Sequence, residues 1–189
     1  MKTAIIIHGM PSKEEYFSPK TKSQSNGHWL PWIQKQLILN GILAQTPEMP
    51  EPYKPDYDKW CSVFECFKIN EDTKLIGHSC GAGFLLRWLS ELNVSVGKVV
   101  LVAPWINSNR KYDITMFDNL KIDQNLASKT KGVTIFSSSN DDQDVMDSVE
   151  VLKNTLKDVR ILELKNYGHF CFKDMKTDVF PELLEEIVK

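Results

Sequence analysis

The sequence predicts an α/β fold: a three-layer, doubly wound and mostly parallel sheet, formed by one domain over residues 1–189. One observation is a set of short apolar runs rich in β-branched residues, typical of parallel strands that are buried on both faces. A second is that helix-like stretches separate these runs, as right-handed strand–helix–strand crossovers require. The runs lie at residues 4–7, 74–76, 99–102 and 133–136.

The remaining elements follow from weaker signals. Two further strands are predicted at 43–46 and 160–164. Helices are predicted at 28–39, 56–67, 83–92, 147–156 and 180–188. The long polar loop 12–27 and the segment 104–128, which lacks a clean period, both follow strands, so we expect them to form the rim of a pocket at the carboxyl ends of the strands.

Charge and composition exclude several classes of protein. The net charge of −2 without a concentrated basic face argues against a nucleic-acid partner. The apolar start of the chain, residues 1–7, is too short for a signal-peptide core, and no stretch has the length of a membrane span, so we expect a cytoplasmic protein. The four cysteines are expected to be free thiols, and without a Cys/His cluster no metal or cofactor is expected.

The segment Gly77-His78-Ser79-Cys80-Gly81 lies between an apolar run and a helix-like stretch. A strand that turns abruptly into a helix at G-x-S-x-G forms a nucleophile elbow, which holds the serine hydroxyl out at the turn. Ser79 is therefore the candidate nucleophile, and the amide of Cys80 at the helix N-terminus is a candidate oxyanion donor. A Gly/Ser turn without catalytic function would look the same in isolation.

A serine nucleophile needs a base and a carboxylate, and the chain order Ser, Asp, His fits this kind of fold. His169 follows Gly168 after a predicted strand and is the candidate base. The acid is Asp142 or Asp141, both of which follow another strand. The hydrophobic residue Val145, three positions after Asp142, favours Asp142.

The loop after the first strand contains His8-Gly9-Met10-Pro11. The Met10 amide is the candidate second oxyanion donor, because Pro11 has no N–H. We expect His8 and His78 to pack against the sheet and fix loop backbone. Two interpretations of Cys80 are open: a small residue that packs against the sheet, which is favoured beside an elbow, or a thiol whose pKa the helix N-terminus lowers. The residues expected at the pocket rim are His28, Trp29 and Trp105.

Together these motifs resemble the small, cap-less α/β-hydrolases that include retinoblastoma-binding protein nine and its bacterial relatives. The likeness extends over nearly the whole chain and includes, besides the segments above, residues 27–32, 49–52, 102–104 and 139–142. It implies a minimal α/β-hydrolase fold and hydrolysis of a small-molecule ester or amide by the triad Ser79, Asp142 and His169. The separation of acid and base (169 − 142 = 27) matches the family and favours Asp142 over Asp141. The chain departs from the family pattern at Met10, where some relatives are glycine-rich, and at Gln143, where proline is common.

A different class of function remains open at this point. The same scaffold would serve as a catalytically weak binding module if its tryptophans anchored a protein or peptide at the surface. The candidates are Trp29, Trp32, Trp60 and Trp105. Nothing else in the sequence indicates a protein partner.

Overall fold

A computed structural model describes all residues of the chain, 1–189. Six parallel strands form one sheet in the order β2-β1-β3-β4-β5-β6. The strands are β1 (Thr3–Ile7), β2 (Leu43–Gln45), β3 (Thr73–His78), β4 (Val99–Val102), β5 (Val133–Ser138) and β6 (Val159–Leu164). This arrangement confirms the predicted fold class.

Seven α-helices accompany the sheet. They are α1 (Lys13–Phe17), α2 (Leu30–Leu39), α3 (Tyr57–Phe64), α4 (Cys80–Glu91), α5 (Gln143–Thr155), α6 (Phe172–Met175) and α7 (Pro181–Val188). None of these helices combines the length and the apolar content needed to cross a membrane.

The strength of each strand signal in the sequence follows from burial. Every residue of β4 and β5 is buried, and so are four of the five residues of β1, because helices cover both faces of the sheet. The edge strands β2 and β6 are only partly buried, so their sequences contain polar residues and are less distinctive.

Two helices begin earlier than the sequence predicts. Helix α4 starts at Cys80 rather than at residue 83, directly after the elbow, and α5 starts at Gln143 rather than at 147. The predicted loop 12–27 contains α1, whose first turn is closed by a capping box between Ser12 and Glu15.

The strand order places a functional crevice at one point of the sheet. The chain leaves β1 for β2 on one side and then returns to β3 on the other side of β1. Loops after β1 and β3 therefore diverge, and ligands of doubly wound sheets bind in the crevice at such a switch point.

Candidate active site

Ser79 occupies the sharp turn between β3 and α4. Its backbone has φ 54° and ψ −121°, a strained conformation that non-glycine residues rarely adopt. The Ser79 amide donates to the carbonyl of Val102 at 2.9 Å, and the Ser79 carbonyl accepts from the amides of Ala82 and Gly83, so the turn is held by both its strand and its helix.

The two glycines of the elbow are required by close backbone packing. A Cβ atom at Gly77 would lie 2.5 Å from the Cα atom of Ala82. A Cβ atom at Gly81 would lie 2.3 Å from the carbonyl oxygen of His8, in the loop after β1. The glycines therefore bring the start of α4 against the strands and aim the Ser79 hydroxyl at the crevice.

Hydrogen bonds link Ser79, His169 and Asp141 in one chain. The Nε2 atom of His169 lies 2.9 Å from the Ser79 hydroxyl oxygen, and its Nδ1 atom lies 2.8 Å from Oδ1 of Asp141. The Asp141 side chain is only 2% exposed, whereas that of His169 is 19% exposed and faces the cleft. A buried carboxylate that accepts from Nδ1–H leaves Nε2 as the acceptor for the serine proton.

The choice of Asp142 as the acid is wrong, because the neighbouring Asp141 contacts His169. Asp142 is exposed and stands at the N-cap position of α5, and its backbone amide donates to Oδ1 of Asp141 at 2.7 Å. The early start of α5 is the physical reason: the helix N-cap takes Asp142, and the residue before it turns inward. The spacing of Val145, Val149 and Leu152 on the buried face of α5 could have located that start.

Two contacts fix the backbone that carries His169. Its amide donates to Oδ2 of Asp174 at 3.1 Å, and its carbonyl accepts from Nε2–H of His78 at 2.9 Å. His78 is buried, and burial holds the pKa of its imidazole well below the ordinary value, so the ring stays neutral. His78 therefore fixes loop backbone as expected, and the loop that it fixes is the one that carries the candidate base His169.

The amides of Met10 and Cys80 donate no hydrogen bond to another protein group. Cys80 is the first residue of α4, where unpaired N–H groups are expected. The peptide that carries the Met10 amide is oriented by His8, whose Nδ1–H donates to the Gly9 carbonyl at 2.8 Å, while the Met49 amide donates to Nε2 of His8. Burial lowers the pKa of His8, which keeps this ring neutral.

Two clefts meet at Ser79 and His169. The first has a volume of about 610 Å³ and is lined by His28 and by residues of the loop 12–27, including Glu15 and Lys22. The second has a volume of about 400 Å³ and is lined by Trp105 and Tyr112 from the segment 104–128. Both segments that were expected to form the pocket rim do so.

The predicted rim residues separate into two groups. His28 lines the first cleft and Trp105 lines the second. Trp29 does not reach the rim: it is fully buried and packs edge-on against His78, with ring centroids 5.7 Å apart. Trp60 is also fully buried, so neither of these tryptophans is available to anchor a partner at the surface.

The four cysteines are unpaired. Burial raises the pKa of the Cys80 thiol, and it raises that of Cys171 to about 12. Of the two interpretations of Cys80, packing in the core is confirmed, since the residue is fully buried. A lowered thiol pKa is wrong, because the desolvation of a fully buried thiolate outweighs the helix N-terminus. No group of three or more histidine, cysteine or carboxylate side chains is arranged to hold a metal ion.

Comparisons with known proteins identify the family of the chain. A family model described as serine hydrolase matches residues 18–182. The Bacillus subtilis (strain 168) protein YdeN is 28% identical over 169 residues, which cover 84% of this chain and 86% of YdeN.

Solved structures show the same fold at lower identity. The crystal structure of the B. subtilis ydeN product has a TM-score of 0.79 at 23% identity, covering 100% of this chain and 97% of that one. Est1E from Butyrivibrio proteoclasticus has a TM-score of 0.67 at 14% identity, with 98% and 85% covered. The methylesterase MES16 from Arabidopsis has a TM-score of 0.62 at 12% identity, with 100% and 99% covered.

Proposed function

Because the chain belongs to the serine hydrolase family, we propose that it hydrolyses carboxylic esters of small molecules through an acyl-enzyme formed on Ser79. The observation that carries the proposal is the hydrogen-bonded chain from the Ser79 hydroxyl through His169 to the buried carboxylate of Asp141. An alcohol is a better leaving group than an amine, so esters are the expected substrates ahead of amides.

In the first half of the reaction, Oγ of Ser79 bonds to the carbonyl carbon while its proton passes to Nε2 of His169. The carbonyl oxygen becomes an oxyanion, and the free amides of Met10 and Cys80 are the donors that stabilise it. Asp141 stabilises the imidazolium that forms. When the tetrahedral intermediate collapses, the ester C–O bond breaks and the alcohol leaves with the proton from Nε2.

In the second half, water replaces the alcohol. His169 accepts a proton from the water, whose oxygen bonds to the acyl carbon, and the same two amides stabilise the second oxyanion. Collapse breaks the bond between Oγ and the acyl carbon. The acid is released, the proton returns to Ser79, and the free enzyme is restored.

A binding module is less well supported. That function required surface tryptophans, but Trp29 and Trp60 are fully buried and Trp105 is only 3% exposed. Among the four candidates only Trp32 is partly exposed. A single partly exposed tryptophan gives no aromatic patch of the kind that anchors a partner.

A fluorophosphonate probe tests the proposal, because it reacts covalently with activated serines. We expect labelling of the native protein, loss of labelling in Ser79→Ala, and unchanged labelling in Ser139→Ala, whose serine is exposed in the loop after β5. Hydrolysis of p-nitrophenyl esters should follow the same pattern. A folded native protein that is neither labelled nor active would refute the hydrolase and favour the binding module.

A further inference from the structure

His28 is held in an unusual conformation at the wall of the first cleft. Its backbone φ is +52°, in the left-handed region that non-glycine residues adopt at a cost. The residue lies shortly before α2 and lines the same cavity as Ser79 and His169. The strain therefore places an imidazole beside the reacting groups.

The hydrogen bonds of His28 determine which of its nitrogens carries the proton. The amide of Phe172 donates to Nδ1 at 3.2 Å, so Nδ1 is an acceptor and the proton of the neutral ring is on Nε2. Burial, followed by the nearby His169, lowers the pKa of His28, so the neutral ring is the form present at neutral pH. The tautomer is thus fixed by the loop that carries the base.

The Nε2–H group of His28 is free to bind a ligand. It makes no hydrogen bond within the protein and is not fully buried, and His28 lines the first cleft, so a ligand in that cleft can reach it. The ring also makes an edge-on contact with His78, at 5.9 Å between centroids, which restricts its orientation. A fixed donor that faces the cleft beside Ser79 is positioned for substrate recognition.

We propose that Nε2–H of His28 binds an oxygen atom of the substrate, so that the enzyme prefers esters that carry a neutral oxygen acceptor, such as a ketone or ether, away from the scissile bond. This inference rests on the proposed function and names the substrate class of the same site. His28 is then a specificity-determining residue.

The charges around the first cleft favour a neutral acceptor over a carboxylate. Its charged residues are Glu15, Lys22, Lys173 and Asp178, two of each sign, and none of them forms an ion pair. Opposite charges in equal number give an anion little net attraction. The orienting contact is therefore a single neutral hydrogen bond, which discriminates by about 3- to 10-fold.

Matched pairs of esters test the preference on each side of the scissile bond. On the acyl side, p-nitrophenyl 4-oxopentanoate is compared with p-nitrophenyl pentanoate. On the alcohol side, 2-methoxyethyl acetate is compared with butyl acetate. In at least one pair, we expect native kcat/KM to favour the oxygen-bearing ester by about 3- to 10-fold. The p-nitrophenyl monoester of adipic acid, which carries a carboxylate, should show no comparable preference over p-nitrophenyl pentanoate.

The variant His28→Asn assigns the preference to the donor. Asparagine tolerates a left-handed backbone, and its Oδ1 can accept from the Phe172 amide as Nδ1 does, but it has no group at the position of Nε2–H. We expect the ratio within the preferred pair to fall toward one. If the variant does not fold, His28→Gly removes the donor at a backbone position that glycine accepts, and Ser139→Ala serves as the control.

The outcomes separate this inference from the proposed function. A role of His28 in loop structure alone would lower both rates of a pair together and leave their ratio unchanged, which would overturn the inference. Equal native rates within both pairs, or a dominant preference for the carboxylate ester, would also overturn it. Absence of hydrolysis of all five esters and of fluorophosphonate labelling would instead refute the proposed function.

Discussion

The substitution Asp141→Asn tests the acid directly, because the structure contains a matched control in the next residue. Asparagine has nearly the same shape as aspartate, and its Oδ1 can still accept from the Asp142 amide and from Nδ1 of His169. The substitution therefore removes the negative charge with little change of packing. In Asp142→Asn the same chemical change occurs at an exposed N-cap.

The size of the effect follows from the geometry. With Nδ1 and Oδ1 at 2.8 Å, the centres of the imidazolium and carboxylate charges are about 4 Å apart, and at an effective dielectric constant of about 20 their attraction is about 4 kcal/mol. This attraction exists only while the ring is protonated, as it is in the transition state. Its loss corresponds to about a 10³-fold decrease in kcat.

Initial rates of p-nitrophenyl ester hydrolysis, measured alongside thermal unfolding, give the comparison. We expect Asp141→Asn to lose about 10³-fold in kcat, and Asp142→Asn to lose less than about 3-fold, with both variants folded. Equal losses, or a greater loss in Asp142→Asn, would refute the assignment of Asp141 as the acid.

Three further predictions concern stability and reactivity. Gly81→Ala should lower the free energy of unfolding by about 1–3 kcal/mol or more, because the new Cβ atom would collide with the backbone of His8. An unchanged melting temperature would contradict the close packing at this glycine. Burial lowers the pKa of His8 and of His78, so below about pH 6.5 the unfolded chain binds more protons than the folded chain. The free energy of unfolding, measured in urea, should therefore fall as the pH is lowered below that value, by up to about 1.4 kcal/mol per pH unit for each ring. A free energy of unfolding that does not change with pH would be inconsistent with buried neutral rings. Iodoacetamide should alkylate the exposed Cys66 well before the buried Cys80, as read by peptide mass spectrometry, and the opposite order would show that Cys80 is reactive.

The sequence was sufficient to predict the central strands and the elbow, because both have strong local causes. A strand covered on both faces must be apolar throughout, and the close approach at Gly77 and Gly81 leaves no room for a side chain. His169 could be identified because a glycine precedes it after the last strand. These features depend on few neighbours, so their residues are recognisable without the structure.

The sequence does not distinguish the aspartate that contacts His169 from its neighbour, because the position of that aspartate depends on where α5 begins. Asp141 and Asp142 are chemically identical, and only the inward turn before the helix distinguishes them. Trp29 was misplaced for a related reason: a tryptophan at the start of a helix can face either the core or the cleft. Contacts over long sequence distances, such as that of Met49 with His8, have no local signal.

The most direct test of the central claim is to locate the acyl group during turnover. The protein is mixed with p-nitrophenyl butyrate, quenched in acid within the first turnovers, digested and mapped by mass spectrometry. We expect a butyryl group on the peptide that contains Ser79, together with a burst of p-nitrophenol of one equivalent or less per enzyme. Steady hydrolysis with an unmodified Ser79, or with the acyl group on another residue that is required for activity, would contradict the account.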